Sequence, residues 1–131
     1  MTPYRLLLSC VGLSQVEAAA FHAVSLDTVK SWCVGRNPAP NTSLQALKAL
    51  YKRQHKAAEE GARIAQMTPK KGEIELGYAV DDMEAQALGW PCASAQHVAL
   101  GIMIAQIYSP VRLVPRGSTV ATAAAADAHG A

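Results

Sequence analysis

The chain has 131 residues, half of them hydrophobic, and a formal net charge of +2. That length holds one ordinary domain, or a small domain with a short accessory element. Seven residues are aromatic and alanine supplies much of the rest, which points to a modest helical core, and no apolar run approaches the roughly 20 residues needed to span a bilayer.

In chain order, Thr2 is placed to cap a first helix with Pro3 at its first position, where the missing N–H costs nothing. Tyr4, Leu7, Leu8 and Val11 recur at i, i+3, i+4 and i+7, which defines one buried face, and Gly12 is a natural stop. Ser14 caps a second helix, and Glu17 three residues on completes a capping box. Its apolar side is read as Val16, Ala19, Ala20 and Phe21. Gln15 lies in the exposed first turn, where its amide can donate to a phosphate oxygen.

After Ala23-Val24, Ser25 caps a third helix that ends at Gly35. Val29 and Trp32 face inward together with Leu26 or Cys33, which leaves Asp27, Thr28, Lys30 and Ser31 outward. Two helices of eight to ten residues joined by three or four is the spacing of a helix-turn-helix. Its second helix can enter a DNA major groove, with Lys30 to guanine acceptors, Asp27 to a cytosine amine, and Thr28 and Ser31 to either. Taken alone, that polar face fits an ordinary solvated helix better, and only the surrounding motif reverses the preference.

Gly35 to Pro40 is a loop by composition, and Arg36 and Asn37 follow the third helix at the level of the sugar-phosphate backbone. Thr42 caps a long helix to about Met67, with Gln45 in capping-box position. Leu44, Leu47, Leu50 and Tyr51 give its first turns an apolar face. The stripe then thins to Ala58, Ala62 and Ala65, and Gly61 weakens it. Pro69 to Gly72 reads as a linker. Glu73 to Val80 alternates at first like a short strand. Asp81-Asp82 starts a short helix carrying Met83, Ala87 and Leu88 inward. Ser94 then caps a last helix whose apolar surface is Val98, Ile102, Ala105 and Ile107 or Tyr108. From Ser109 the chain is expected to be disordered. Leu113 to Ser118 spells LVPRGS, the thrombin recognition sequence used in expression vectors, and is set aside from functional reasoning.

Ten Lys/Arg and four Asp/Glu fall in residues 1–71, against two and six in residues 72–131. A basic front half beside an acidic rear half suits a polyanion-binding domain attached to something else. On charge alone, a solvated face from Lys48 to Arg63 fits as well. Cys10, Cys33 and Cys92 are widely spaced without a C-x-x-C pair and read as core thiols. Cys92 and His97 supply two of the four ligands that a zinc site needs, so no metal and no cofactor is expected. His97 reads as a helix-surface histidine. The run Leu6 to Val11 is too short for a signal peptide, so the expected location is cytoplasmic.

Leu13-Ser14-Gln15, Ala19, Val24-Ser25, Val29, Trp32, Gly35-Arg36 and Pro40, with a leucine-rich helix after them, resemble the lambda-repressor-like helix-turn-helix family, also called the xenobiotic-response-element (XRE) family. The resemblance covers residues 3–60. It implies a DNA-binding module, mostly found in regulators that bind operators as dimers. By position it implies that Gln15 anchors the backbone and that Ser25, Asp27, Thr28, Lys30 and Ser31 face the groove. Where the family usually carries glycine in the turn, this chain has Ala23. A positive φ there costs alanine roughly 1 kcal/mol.

The expectation is therefore a mainly α protein: a small helical bundle with a helix-turn-helix over residues 1–68, a C-terminal helical dimerisation element over residues 69–108, and a disordered tail over residues 109–131. The expected function is that of a sequence-specific transcriptional regulator. It would be a homodimeric repressor on double-stranded DNA, with no membrane association. A partner-binding protein of the antitoxin kind, with an auxiliary DNA-binding module, is the alternative. An enzyme is not expected, because paired carboxylates, a nucleophile motif and a phosphate-binding glycine loop are missing from the sequence.

Overall fold

Helix starts and stops written into the sequence account for most of the architecture. In the computed structural model, which describes residues 1–67 and 72–116, α1 (Pro3–Val11) has Pro3 at its first turn and the Thr2 hydroxyl accepting from the Arg5 N–H. Ser14 and Glu17 close the expected capping box on α2 (Gln15–His22), with the Ser14 N–H to Glu17 Oε1 at 2.8 Å and the Glu17 N–H to Ser14 Oγ at 3.1 Å. Ser25 caps α3 (Leu26–Val34). Gly35 ends α3 at φ 82°, a conformation an L side chain resists.

The long α4 (Asn41–Met67) begins two residues earlier than a Thr42 cap implies, so Thr42 lies inside its first turn instead of capping it. The Pro40 carbonyl accepts there from the N–H groups of Ser43 and Leu44. Then come β1 (Ile74–Tyr78), α5 (Asp82–Ala87), α6 (Ala93–Ala105) and β2 (Val111–Pro115). The described residues are thus mainly helical, with one small strand pair. No helix among the described residues is long and apolar enough to cross a membrane.

The chain divides into two compact units, Met1–Arg53 and the remainder from Gln54. The division falls inside α4, whereas the change of composition suggested residue 68. Six Lys/Arg against two Asp/Glu make the first unit net +4, and the residues from Gln54 onward net −2.

In the first unit the core is Tyr4, Leu8, Val11, Leu13, Ala18, Ala19, Val29, Trp32 and Cys33, with Leu47 and Leu50 from α4. On α2 the buried face differs from the expected one. Ala18 and Ala19 are inside, whereas Val16 is 65% exposed and Ala20 faces solvent. An eight-residue helix flanked by α1 and α3 buries only a narrow strip, and small residues let the neighbours approach closely. Cys33 and Cys92 are buried thiols as expected, but Cys10 is exposed.

The second unit corrects the reading of the rear half most. β1 forms as expected, but its partner is β2, paired in parallel with Ile74 opposite Val111 and Tyr78 opposite Pro115. So residues 111–115, assigned to a disordered tail, are a strand; residues 117–131 lie outside the described residues. Parallel strands need a crossover connection, and α5 and α6 supply it. Arg112 pairs with Glu75 across the ladder and lies 3.9 Å from Glu73. These exposed pairs add little stability.

Asp81 caps α5 through the Glu84 N–H at 2.8 Å, but the helix buries Ala85 and leaves Met83 80% exposed. α6 is not capped by Ser94; Asp82 Oδ1 accepts from the Ala93 N–H instead. Its buried face is Ala95, Gln96, Ala99 and Leu100, so Val98 and Ile102 are only half-buried and Tyr108 is 98% exposed. Gln96 explains the rotation. Its Oε1 accepts from the Ala79 N–H and its Nε2 donates to the Gly77 carbonyl, which ties α6 to β1. The rear part of α4, where the apolar stripe thins, is also engaged. Buried Gln54 donates to the Ala95 carbonyl at 3.1 Å, and Gly61 admits the Met103 thioether, whose terminal carbon would meet a Cβ there at 2.5 Å.

Candidate nucleic-acid interface

The connection from α2 to α3 is held by backbone geometry before any side chain contributes. Ala23 sits at φ 57°, ψ 45°, the one non-glycine residue with positive φ among the described residues. That turn lets the Ala23 and Val24 N–H groups reach the Ala20 and Ala19 carbonyls at 3.2 and 3.0 Å, which closes α2 as a left-handed cap does. Alanine in that region costs roughly 1–2 kcal/mol, and glycine would give back roughly 0.5–1 kcal/mol through the unfolded chain. Ala23→Gly is therefore expected to stabilise the first unit by roughly 0.5–1 kcal/mol. Urea unfolding checks this; an unchanged or lower midpoint contradicts it.

Three aromatic rings lock α3 in place. Trp32 is 7% exposed and meets Tyr4 edge-on at 5.4 Å and His22 edge-on at 5.7 Å. The Tyr4 hydroxyl lies 3.0 Å from His22 Nε2. The Thr2 hydroxyl, besides capping α1, reaches the Trp32 and Cys33 carbonyls at 3.2 Å each, so the start of α1 holds the last turn of α3.

Burial pushes the Tyr4 phenol up to about 12, helped by the charge on Cys33 at high pH, and burial lowers the His22 imidazole below its ordinary value. The signs follow from which form each site accepts. Neutral His22 is favoured in the folded state, so its contribution is complete above the ordinary histidine value near pH 6.5 and is lost as the pH falls below it. Protonated Tyr4 is favoured, so its contribution is complete below pH 10 and is lost as the pH rises toward about 12. The stability of the first unit should therefore fall on both sides of neutrality. Replacing His22 by Gln should remove part of the acid loss, read as urea midpoints at pH 8 and pH 5; an unchanged acid loss contradicts this role.

On this support, the residues singled out in the sequence stand as follows. Ser25 is exposed at the cap of α3, with Oγ accepting from the Thr28 N–H and 2.8 Å from the Thr28 hydroxyl. Asp27 and Lys30 are exposed, and Thr28 is half-buried. Ser31 does not face outward. It is 3% exposed, and its Oγ accepts from Asn37 Nδ2 at 2.7 Å. The loop after α3 folds back over this position, which helical spacing alone does not reveal. Asn37 is thereby partly committed, while Arg36 is exposed immediately beyond Gly35. Gln15 is half-buried at the first position of α2. Val34, the last residue of α3, is 69% exposed.

The arrangement is a short, doubly anchored helix presenting an acid, a cation and hydroxyl groups to solvent from a basic unit. In the second unit His97 has a partner: Nε2 lies 2.7 Å from the Ala79 carbonyl. With Tyr78, Leu100, Gly101, Ile104 and Leu113 it lines an apolar cleft of about 280 Å³. Among the described residues, no three His, Cys, Asp or Glu side chains gather where they could hold a metal ion. Comparison with family models, with curated proteins and with solved structures returned no match.

Proposed function

We propose that the first unit is a helix-turn-helix module that reads double-stranded DNA, with α3 as the recognition helix. The observation that carries this reading is the exposed α3 face of Asp27 and Lys30, flanked by Ser25 and Thr28, on a unit of net charge +4. α3 is fixed by Trp32 below and by Thr2 at its end. A rigid helix whose polar atoms point away from the core suits the donor and acceptor pattern of the major groove. Arg36, Gln15 and Asn37 would meet the sugar-phosphate backbone, which sets register but not sequence.

The protein would act in the cytoplasm as a transcriptional regulator without a cofactor. A homodimer would occupy an inverted repeat with half-sites about 34–36 Å apart and block polymerase sterically. The second unit would join the two copies, and its exposed Val80, Met83 and Tyr108 favour a role in association. The same exposed side chains favour the second reading, in which the rear unit holds a different protein.

Salt tests the reading. Anisotropy of a labelled duplex, titrated from about 50 to about 200 mM salt, should show affinity falling linearly on a log–log plot with a slope near −0.9 per phosphate neutralised. Absent or salt-independent binding contradicts it.

A further inference from the structure

We propose that Val34 takes the place on the reading face that the sequence assigned to Ser31, and that it recognises the 5-methyl group of a thymine. This inference rests on the DNA-binding reading of the first unit.

Asp27, Lys30 and Val34 stand at i, i+3 and i+7 of α3, which puts them on one face. All three are exposed, and the last is 69% exposed. Ser31, whose spacing would also place it near that face, is closed off by Asn37. A single exposed valine is ordinary on a protein surface. One aligned with the exposed acid and cation of the same short helix is a different matter, because it becomes part of whatever surface they meet.

Its isopropyl group can neither donate nor accept a hydrogen bond. The apolar feature that base edges offer in the major groove is the thymine methyl. At about 1.5 Å per residue, Asp27 and Val34 lie about 10 Å apart along the helix, which corresponds to about three base-pair steps at 3.4 Å each. The face then carries three different chemistries: Asp27 for a cytosine amine, Lys30 for guanine acceptors and Val34 for a methyl. Arg36 follows two residues later, where the helix would leave the bases for the backbone.

The test replaces thymine by deoxyuridine, which removes the methyl and nothing else. The full chain first selects its site from a randomised duplex pool, and each thymine of that site is then replaced singly. One thymine per half-site should lose affinity about fourfold on replacement, the worth of one methyl group taken from water. Val34→Ala should weaken the thymine site by a similar factor and bind the thymine and deoxyuridine forms equally. Val34→Thr, which keeps one methyl, should retain part of the difference, and circular dichroism verifies that both variants fold. A selected site whose thymines are all insensitive, or a Val34→Ala protein with undiminished sensitivity, overturns the assignment of Val34 alone. A pool that yields no site overturns the DNA-binding reading and this inference with it.

Discussion

Trp32→Ala is expected to remove about 3–5 kcal/mol, the usual cost of emptying a large aromatic from a packed core. At roughly 0.05–0.15 kcal/mol per residue, a unit of about 53 residues holds about 3–8 kcal/mol in all. The substitution therefore takes most of what the first unit has. The effect would be concentrated because Trp32 packs edge-on against both Tyr4 and His22, so its removal takes one packing partner from each of two further rings. Hydrogen exchange should show collapsed protection in α1 to α3. Lys30→Ala, a change at an exposed position, should stay within about 0.5 kcal/mol of the wild type in the same measurement. Protection in α1 to α3 that survived the removal of Trp32 would mean the core lies elsewhere.

Lys30→Ala should separate reading from attraction. If Lys30 donates to a guanine edge, the variant loses roughly 1–3 kcal/mol on the cognate duplex and stops discriminating at one base pair. Arg36→Ala should behave differently. Without its guanidinium on a phosphate, the protein should bind all duplexes more weakly by the same factor, with the salt slope lowered by about 1. Competition titrations with single-base variants of the site, run on both proteins, give the two patterns side by side. Uniform weakening by Lys30→Ala would reassign it to the backbone.

Local chemistry made much of this fold legible in the sequence. The Ser14–Glu17 box, the Thr2, Ser25 and Asp81 caps, and the stops at Gly12 and Gly35 each rest on bonds within four residues, and all are present. Ala23, where positive φ was the open question, does adopt it. What escaped depends on partners distant in the chain. β2 exists because β1 lies beside it, 37 residues away at Glu75 and Arg112. VRLVP ending in proline carries little strand signal of its own, and proline is tolerated at such a strand end.

The buried face of α6 is set by Gln96 reaching the Ala79 and Gly77 backbone, a polar anchor that an apolar stripe does not predict. The same holds at the candidate interface. Ser31 is buried beneath Asn37, whereas Val34 stays exposed. Helical spacing names the residues on a face, but a returning loop decides which of them stay in solvent.

Whether the first unit reads DNA sequence is tested most directly by selecting the full chain against a randomised duplex pool and sequencing the bound fraction. An inverted repeat whose half-site centres lie about 34–36 Å apart, or a multiple of that, should be enriched, and Lys30→Ala should relax one position of each half-site. A bound fraction as random as the starting pool would contradict sequence reading by this unit.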